Sequence, residues 1–280
     1  MRLAYRILNV FTIDGDALSG NPLCVFEDGR ELDTARMQAL ARQLNLSETT
    51  FVLPSERATA RVRIFTPSFE MPFAGHPTLG TAHVVRALRG GDSLTLEVVA
   101  GIVPVTAQGD RWTLRTAKAP STGAPNGTRA ELAAMVGLPA DAIASDPLWV
   151  DTGARQLVIP LTSAEHVRAA KPVAELLAKH GRRDDHESMA YVVARQDDHL
   201  LVRFFFTQQG SILEDPATGS ACANLGGYYV ATGRSLPFRE TLHQGAQARR
   251  PSHLGLHVDT DRAIHVTGGV IELGSGAFEI

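Results

Sequence analysis

Apolar residues along this 280-residue chain alternate with polar ones far more often than they recur at helical spacing. Alternation predicts extended segments at 3–11, 22–26, 49–53, 60–65, 94–99, 103–107 and 111–116. A second series follows at 157–161, 189–194, 200–206, 253–258, 263–268 and 277–280. Helical spacing is rarer. Met37, Leu40, Ala41 and Leu44 recur at i, i+3, i+4 and i+7 behind Asp33, a good N-cap residue, and predict a helix over 34–44. Further helices are predicted at 77–88, where Pro77 suits a first turn whose amide hydrogen would lack a partner, and at 130–136, 172–180 and 220–231. Residues 118–129, with two prolines, two glycines and no periodicity, read as a linker. Strands outnumber helices and many are joined by turns. The expected fold class is therefore α+β, each half a curved mixed or antiparallel sheet around a helix, not a regular βαβ winding.

The halves resemble each other. Glu70-Met71-Pro72-Phe73-Ala74-Gly75-His76 and Glu214-Asp215-Pro216-Ala217-Thr218-Gly219-Ser220 both read Glu-x-Pro-x-x-Gly-polar and both run into a small-residue helical stretch. The flanks follow: Glu48-Thr49-Thr50-Phe51-Val52 matches Glu187-Ser188-Met189-Ala190-Tyr191, and Arg63-Ile64-Phe65 matches Arg203-Phe204-Phe205. A repeat spaced by about half the chain is a duplicated domain rather than a solenoid unit. Two pseudo-symmetric domains are expected, 1–118 and 129–280, with the final strand free to return to the first, and with two equivalent loops facing one cleft.

Composition narrows the function classes. With 44% apolar and 20% charged residues and a net charge of −3, the chain is that of a globular protein. No basic block resembles a nucleic-acid footprint, and no apolar run approaches the roughly 18 residues of a membrane span. The alternating N-terminus lacks the apolar centre of a signal peptide, and the two cysteines, Cys24 and Cys222, form no C-x-x-C pair. A cytoplasmic location with buried free thiols is expected. No histidine or cysteine cluster has metal-ligand spacing, and no dinucleotide, P-loop, flavin or pyridoxal signature is present. Cofactor-free chemistry on a small molecule is expected.

Three groups could carry that chemistry. Glu48 ends a helix-to-strand loop beside Ser47, where a carboxylate can project into the cleft and Phe51 could raise its pKa; read alone, the pair is equally an ordinary polar turn. His76 and Asp215 sit in the two equivalent loops. A free imidazole titrates near neutrality and could shuttle a proton, though a helix cap and a turn before Pro216 are the plainer readings. Gly75, Gly219 and Ser220 open two helices whose first amide hydrogens lack intrahelical partners, an arrangement that suits a carboxylate; two plain tight turns are the alternative.

Asn45-Leu46-Ser47-Glu48-Thr49-Thr50-Phe51-Val52, Arg63-Ile64-Phe65-Thr66-Pro67, Pro72-Phe73-Ala74-Gly75-His76-Pro77-Thr78-Leu79-Gly80-Thr81-Ala82 and Glu214-Asp215-Pro216-Ala217-Thr218-Gly219-Ser220-Ala221, with Gly20-Asn21-Pro22 and Arg250-Pro251-Ser252, closely resemble the PhzF-like family, phenazine-biosynthesis isomerase-like proteins with the diaminopimelate epimerase fold. The resemblance spans nearly the whole chain. It implies an isomerase moving a proton between carbons of a small carboxylic acid, the family's named reaction acting on a dihydro-hydroxyanthranilate. It also implies a homodimer, Glu48 as acid/base, and His76 and Asp215 lining the pocket; Ser47, Gly75, Gly219 and Ser220 are expected to bind the substrate. One departure is Arg249, where the family block has glycine, which leaves the conformation of that loop open. Related racemases carry two thiols at positions occupied here by Ala74 and Thr218, so a two-thiol mechanism is not expected. A one-base epimerase and a non-catalytic binding protein on the same fold are the alternatives.

Overall fold

The computed structural model describes residues 1–183, 187–208 and 210–280. The first half runs β1 (Arg2–Thr12), β2 (Asn21–Phe26), α1 (Thr34–Leu44), β3 (Glu48–Leu53), β4 (Ala60–Phe65), β5 (Glu70–Met71), α2 (Gly75–Arg89), β6 (Ser93–Val98), β7 (Gly101–Gln108) and β8 (Arg111–Arg115). The second runs β9 (Ser121–Gly123), α3 (Arg129–Met135), β10 (Leu148–Asp151), β11 (Arg155–Pro160), α4 (Ala164–Ala169), α5 (Ala174–His180), β12 (Met189–Gln196), β13 (His199–Gln208), β14 (Ser211–Asp215), α6 (Gly219–Ala231), β15 (Phe238–Gln244), β16 (Ser252–Val258) and β17 (Ile264–Glu279).

In the first half β1, β2, β3, β4, β6, β7, β8 and β17 pair in sequence, and β17 pairs back to β1, closing a ring. Helix α2 packs against seven of these eight strands and is buried almost continuously from Gly75 to Val85. A helix buried on every side needs small residues where strands come close. Gly80 shows why: a Cβ there would lie 2.5 Å from Leu23 Cδ2. The second sheet repeats the plan in the order β9, β10, β11, β12, β13, β15, β16, β17, around α6. Both halves use one parallel pair early (β2 with β3, β11 with β12) and one late (β4 with β6, β13 with β15). Strand β17 belongs to both sheets.

The duplication is real, but one pairing of its flanks needs correcting. Thr49 pairs across to Phe65 and Ala190 to Phe205, while Phe65 pairs to Glu70 and Phe205 to Glu214. Thr49 therefore corresponds to Ala190, and Glu48 to Met189, not to Glu187. The copies do share an ion pair, Arg63 with Glu70 and Arg203 with Glu214 at 2.7 Å. In both, the arginine also lies over a phenylalanine, Phe65 at 5.0 Å and Phe205 at 4.6 Å.

Other expectations change as well. Residues 118–129 are not only linker: β9 pairs with β10, and Thr128 with Glu131 forms a capping box on α3. The alternation missed β5, β9, β10, β14 and β15. The segments 263–268 and 277–280 are parts of one strand, whose glycines interrupt the apolar pattern without interrupting the pairing. Arg249 adopts φ 57°, the left-handed conformation a glycine would take, so the loop survives the substitution at a cost of roughly 1–2 kcal/mol of backbone strain.

The two central helices meet at their first residues. A Cβ on Gly75 would fall 2.5 Å from the Gly219 Cα, and one on Gly219 would fall 2.8 Å from Phe11 Cζ. Gly75→Ala forces backbone apart and is expected to lower stability by about 1–3 kcal/mol in urea denaturation. Gly274→Ala, with nothing within 4 Å of the new methyl, should stay within about 0.5 kcal/mol. Equal effects of the two substitutions would show that the helix contact is not tight.

Candidate active site

The blocks at the two ends of the chain meet beside the cleft. The Gly20 amide donates to the Pro251 carbonyl at 3.0 Å, Arg250 Nε to the Gly20 carbonyl at 2.8 Å, and an Arg250 terminal nitrogen to Asn9 Oδ1 at 2.8 Å. This clamp fixes the start of β2, and with it Asn21, which is fully buried. Asn21 Nδ2 donates to Asp215 Oδ1 at 2.8 Å and to the Ala217 carbonyl at 2.9 Å, and its Oδ1 accepts from the Ser47 hydroxyl at 3.2 Å. One amide thus ties the loops of both halves together. Gln244, in β15, braces the second-half loop alone, donating to the Asp215 carbonyl at 2.8 Å and accepting from the Thr218 amide at 3.2 Å.

Behind these residues lies the contact of the helix starts. Ala74 and Thr218 are the N-caps of α2 and α6, and neither caps its helix with a side chain. Gly75 and Gly219 touch each other, so their glycine character serves helix packing. Phe11 wedges against Gly219 from below. It sits at φ 64° in a bulge of β1, an unusual conformation for a bulky residue, with its ring filling the space a Gly268 side chain would need.

Glu48 begins β3, its side chain 14% exposed, with Oε2 3.6 Å from His76 Nε2. Burial, aided by the nearby Asp215 charge, pushes the Glu48 carboxyl up to about 8. Burial also pushes Asp215 up to about 7, against hydrogen bonds from Thr218 and Asn21 that favour its charged form. The two carboxyls titrate as a pair. His76 is driven down to about 3 by burial, so it is neutral at pH 7, and the near-neutral titration of a free imidazole does not carry over to it. Its approach to Glu48 is accordingly not an ion pair. Its Nδ1 lies 3.3 Å from Asn21 Nδ2, while Nε2 has no hydrogen-bond partner and faces the carboxyl, so the tautomer decides which ring nitrogen carries the hydrogen. Glu48 Oε2 is likewise buried without a hydrogen-bond partner.

A cavity of about 190 Å³ opens over these groups. Ser47, Glu48, Asp215 and Ser220 line it; His76, Gly75 and Gly219 do not. The remaining lining was not foreseen: Thr218, Gln156, Met71, Met189, Phe69, Phe204, Phe206 and the Arg183–Glu187 pair, joined at 2.9 Å, among others. The repeat gives this lining a pattern. The register that maps Glu48 onto Met189 maps Asp215 onto Met71. One side of the pseudo-twofold therefore carries two carboxyls and the other two thioethers. Had the repeat been aligned by strand register, the methionines would have been found in the sequence.

The cysteines lie elsewhere. Both are buried, and burial raises both thiols, Cys24 to about 12. Among the described residues no group of three or more His, Cys, Asp or Glu is placed to hold a metal, and no helix is long and apolar enough to cross a membrane.

Comparison with known proteins agrees with this geometry. The family model for phenazine biosynthesis-like proteins matches residues 8–275. An uncharacterized isomerase of Pasteurella multocida is 35% identical over 276 residues, covering 98% of this chain and 93% of the relative. The trans-2,3-dihydro-3-hydroxyanthranilate isomerase of Pseudomonas aeruginosa is 35% identical over 257 residues, covering 89% and 88%. Among solved structures, a predicted epimerase of Pseudomonas aeruginosa superposes with a TM-score of 0.83 at 32% identity, covering 99% of each chain. A hydroxyproline epimerase of Agrobacterium vitis shares the fold alone, with a TM-score of 0.63 at 11% identity over 99% of this chain and 92% of that one. The chain belongs to the phenazine biosynthesis-like protein family and is an isomerase.

Proposed function

We propose that the enzyme shifts a proton between two carbons of a small carboxylic acid, with Glu48 as its single acid/base. The observation that carries this reading is the lopsided cleft: carboxyls at Glu48 and Asp215, methionines at their symmetry-related positions. A base on one side and a matching acid on the other would suit inversion at one carbon. The third carboxyl of the lining, Glu187, is held in an ion pair with Arg183, so the proton is taken and returned on the Glu48 face. Glu48 removes a proton from one carbon, the electron pair moves through the adjacent unsaturation, and the same carboxyl delivers the proton to the far carbon. Asp215, held by Asn21 and Thr218, adds to the effect of burial on the proton affinity of Glu48, and neutral His76 stands beside the Glu48 carboxyl. The substrate carboxylate lies against Ser220 and the first amides of α6, where the helix dipole favours an anion. No cofactor is needed, because the carboxyl itself stores the proton. The relatives named for trans-2,3-dihydro-3-hydroxyanthranilate make that compound the first substrate to test.

Glu48→Gln should reduce turnover of that compound by about three orders of magnitude or more while ligand binding persists, since general acid–base catalysis typically supplies about 10²–10⁴-fold. Reaction in deuterium oxide should place any solvent label at the carbon that gains the proton. Retention of more than about a tenth of wild-type turnover, or label only at the carbon that loses it, points to a different base or to epimerisation.

Burial of Glu48 also sets a pH dependence. Its folded-state pKa is raised, so between roughly pH 4.5 and 8 the folded protein holds a proton that the unfolded chain releases, and this group costs stability as pH rises through that window. The stability difference between Glu48→Gln and wild type should therefore move in favour of the variant as pH rises from about 4.5 to 8. The wild-type kcat/KM should rise over the upper part of the same range, and Asp215→Asn should shift that rise to lower pH by removing a neighbouring negative charge. A flat stability difference would place the Glu48 pKa near its ordinary value.

A further inference from the structure

A second buried amide network, absent from the first half, reaches the cleft from the opposite wall. Asn224 lies in α6 with no exposed surface. Its Oδ1 accepts from both the Thr152 amide, at 2.9 Å, and the Thr152 hydroxyl, at 2.7 Å. Its Nδ2 donates to the Ala154 carbonyl at 2.7 Å and to Gln156 Oε1 at 2.6 Å. Gln156 Nε2 in turn donates to Ser220 Oγ at 2.8 Å. Gln156 and Ser220 are nearly buried and both line the cavity.

The orientation of every group follows from its first member. A backbone amide can only donate, so Asn224 must turn its oxygen to Thr152 and its nitrogen to Gln156. Gln156 must then offer its oxygen to Asn224 and its nitrogen to Ser220. Ser220 receives that hydrogen on its oxygen, and its own hydroxyl hydrogen remains for another acceptor. The second hydrogen of Gln156 Nε2 is used by no group in this chain of contacts. The relay thus presents donors to the cleft from this wall.

Packing does not demand the relay. The repeat places Gly80 where Asn224 stands, and there the first half fills its interior with Leu23 and Val10 instead. The polar version occurs only in the half whose helix start lines the cavity.

We infer that Asn224 is a positioning residue: through Gln156 it locks Ser220 as a hydrogen-bond donor to the carboxylate of the ligand. This inference rests on the reading that an anionic ligand lies against Ser220. Asn224→Asp is nearly isosteric but has no hydrogen to give. Gln156 then turns its nitrogen to the new carboxylate, Ser220 donates to Gln156 Oε1, and the donor to the ligand is lost.

Calorimetric titration with anthranilate and with its neutral counterpart 2-aminobenzamide tests this. Wild type should prefer the acid. In Asn224→Asp the dissociation constant for anthranilate should rise at least about tenfold, equivalent to roughly 1.4 kcal/mol, with less than about threefold change for the amide. Ser220→Ala should show the same loss, and the double variant no more than either single one, because all three remove one interaction. Should Asn224→Asp fail to fold, Gln156→Glu, whose carboxylate accepts from both Asn224 and the Ser220 hydroxyl, should give the same selective loss. An unchanged acid-to-amide ratio in the folded variants, or losses that multiply in the double variant, overturns the relay. A wild type with no preference for the acid overturns the anion reading, and the relay with it.

Discussion

The contact between Gly75 and Gly219 is the constraint on which the molecule is arranged. Two buried helices point their N-termini at each other with no side chain between them. Their dipoles bring partial positive charge to one place from both halves, and only a negative group nearby can make that favourable. Glu48 and Asp215 do not neutralise that charge, since burial makes both keep protons more tightly than free carboxyls do; on the proposed function the anion comes from the substrate.

The duplication explains what each half retains and what it gives up. The arginine–glutamate pair beneath each loop, stacked on a phenylalanine, recurs in both copies and orients the turn that precedes each helix. The residues that face the cavity have diverged. Asn21 and Gln244 bind the Asp215 loop on one wall, while Asn224 and Gln156 engage Ser220 on the other. The scaffold is symmetric and the polar equipment laid over it is not.

Much of this was legible in the sequence because both copies must solve the same backbone problem. Glycine at the helix start and proline two residues after the glutamate survive in each loop, and those blocks located Asp215 and Ser220 at the cleft, while Glu48 was reached through the Ser47-Glu48-Thr49 segment and the family resemblance. The register of the flanking strands was not legible. A two-residue slip leaves every side chain on its original face, so alternation alone cannot distinguish Met189 from Glu187 as the partner of Glu48. Asn21 was seen only as part of a block, since Asp215 lies 194 positions further along the chain. The short strands β5, β9 and β10 carry too few residues to show a period, and β17 is disguised by its glycines.

Phe11 joins the sheet to the site in one further way. Its left-handed backbone is held by a ring lodged between Gly268 of β17 and Gly219 of α6. The backbone cannot relax to an ordinary extended conformation without withdrawing that ring. Local opening of the β1–β17 seam and loosening of the α6 start are therefore one event rather than two, a single cooperative unit in the sense measured by native-state amide exchange. The floor of the cleft acquires the rigidity of the sheet beneath it, and a ligand that steadies α6 also slows the breathing of strands it never touches.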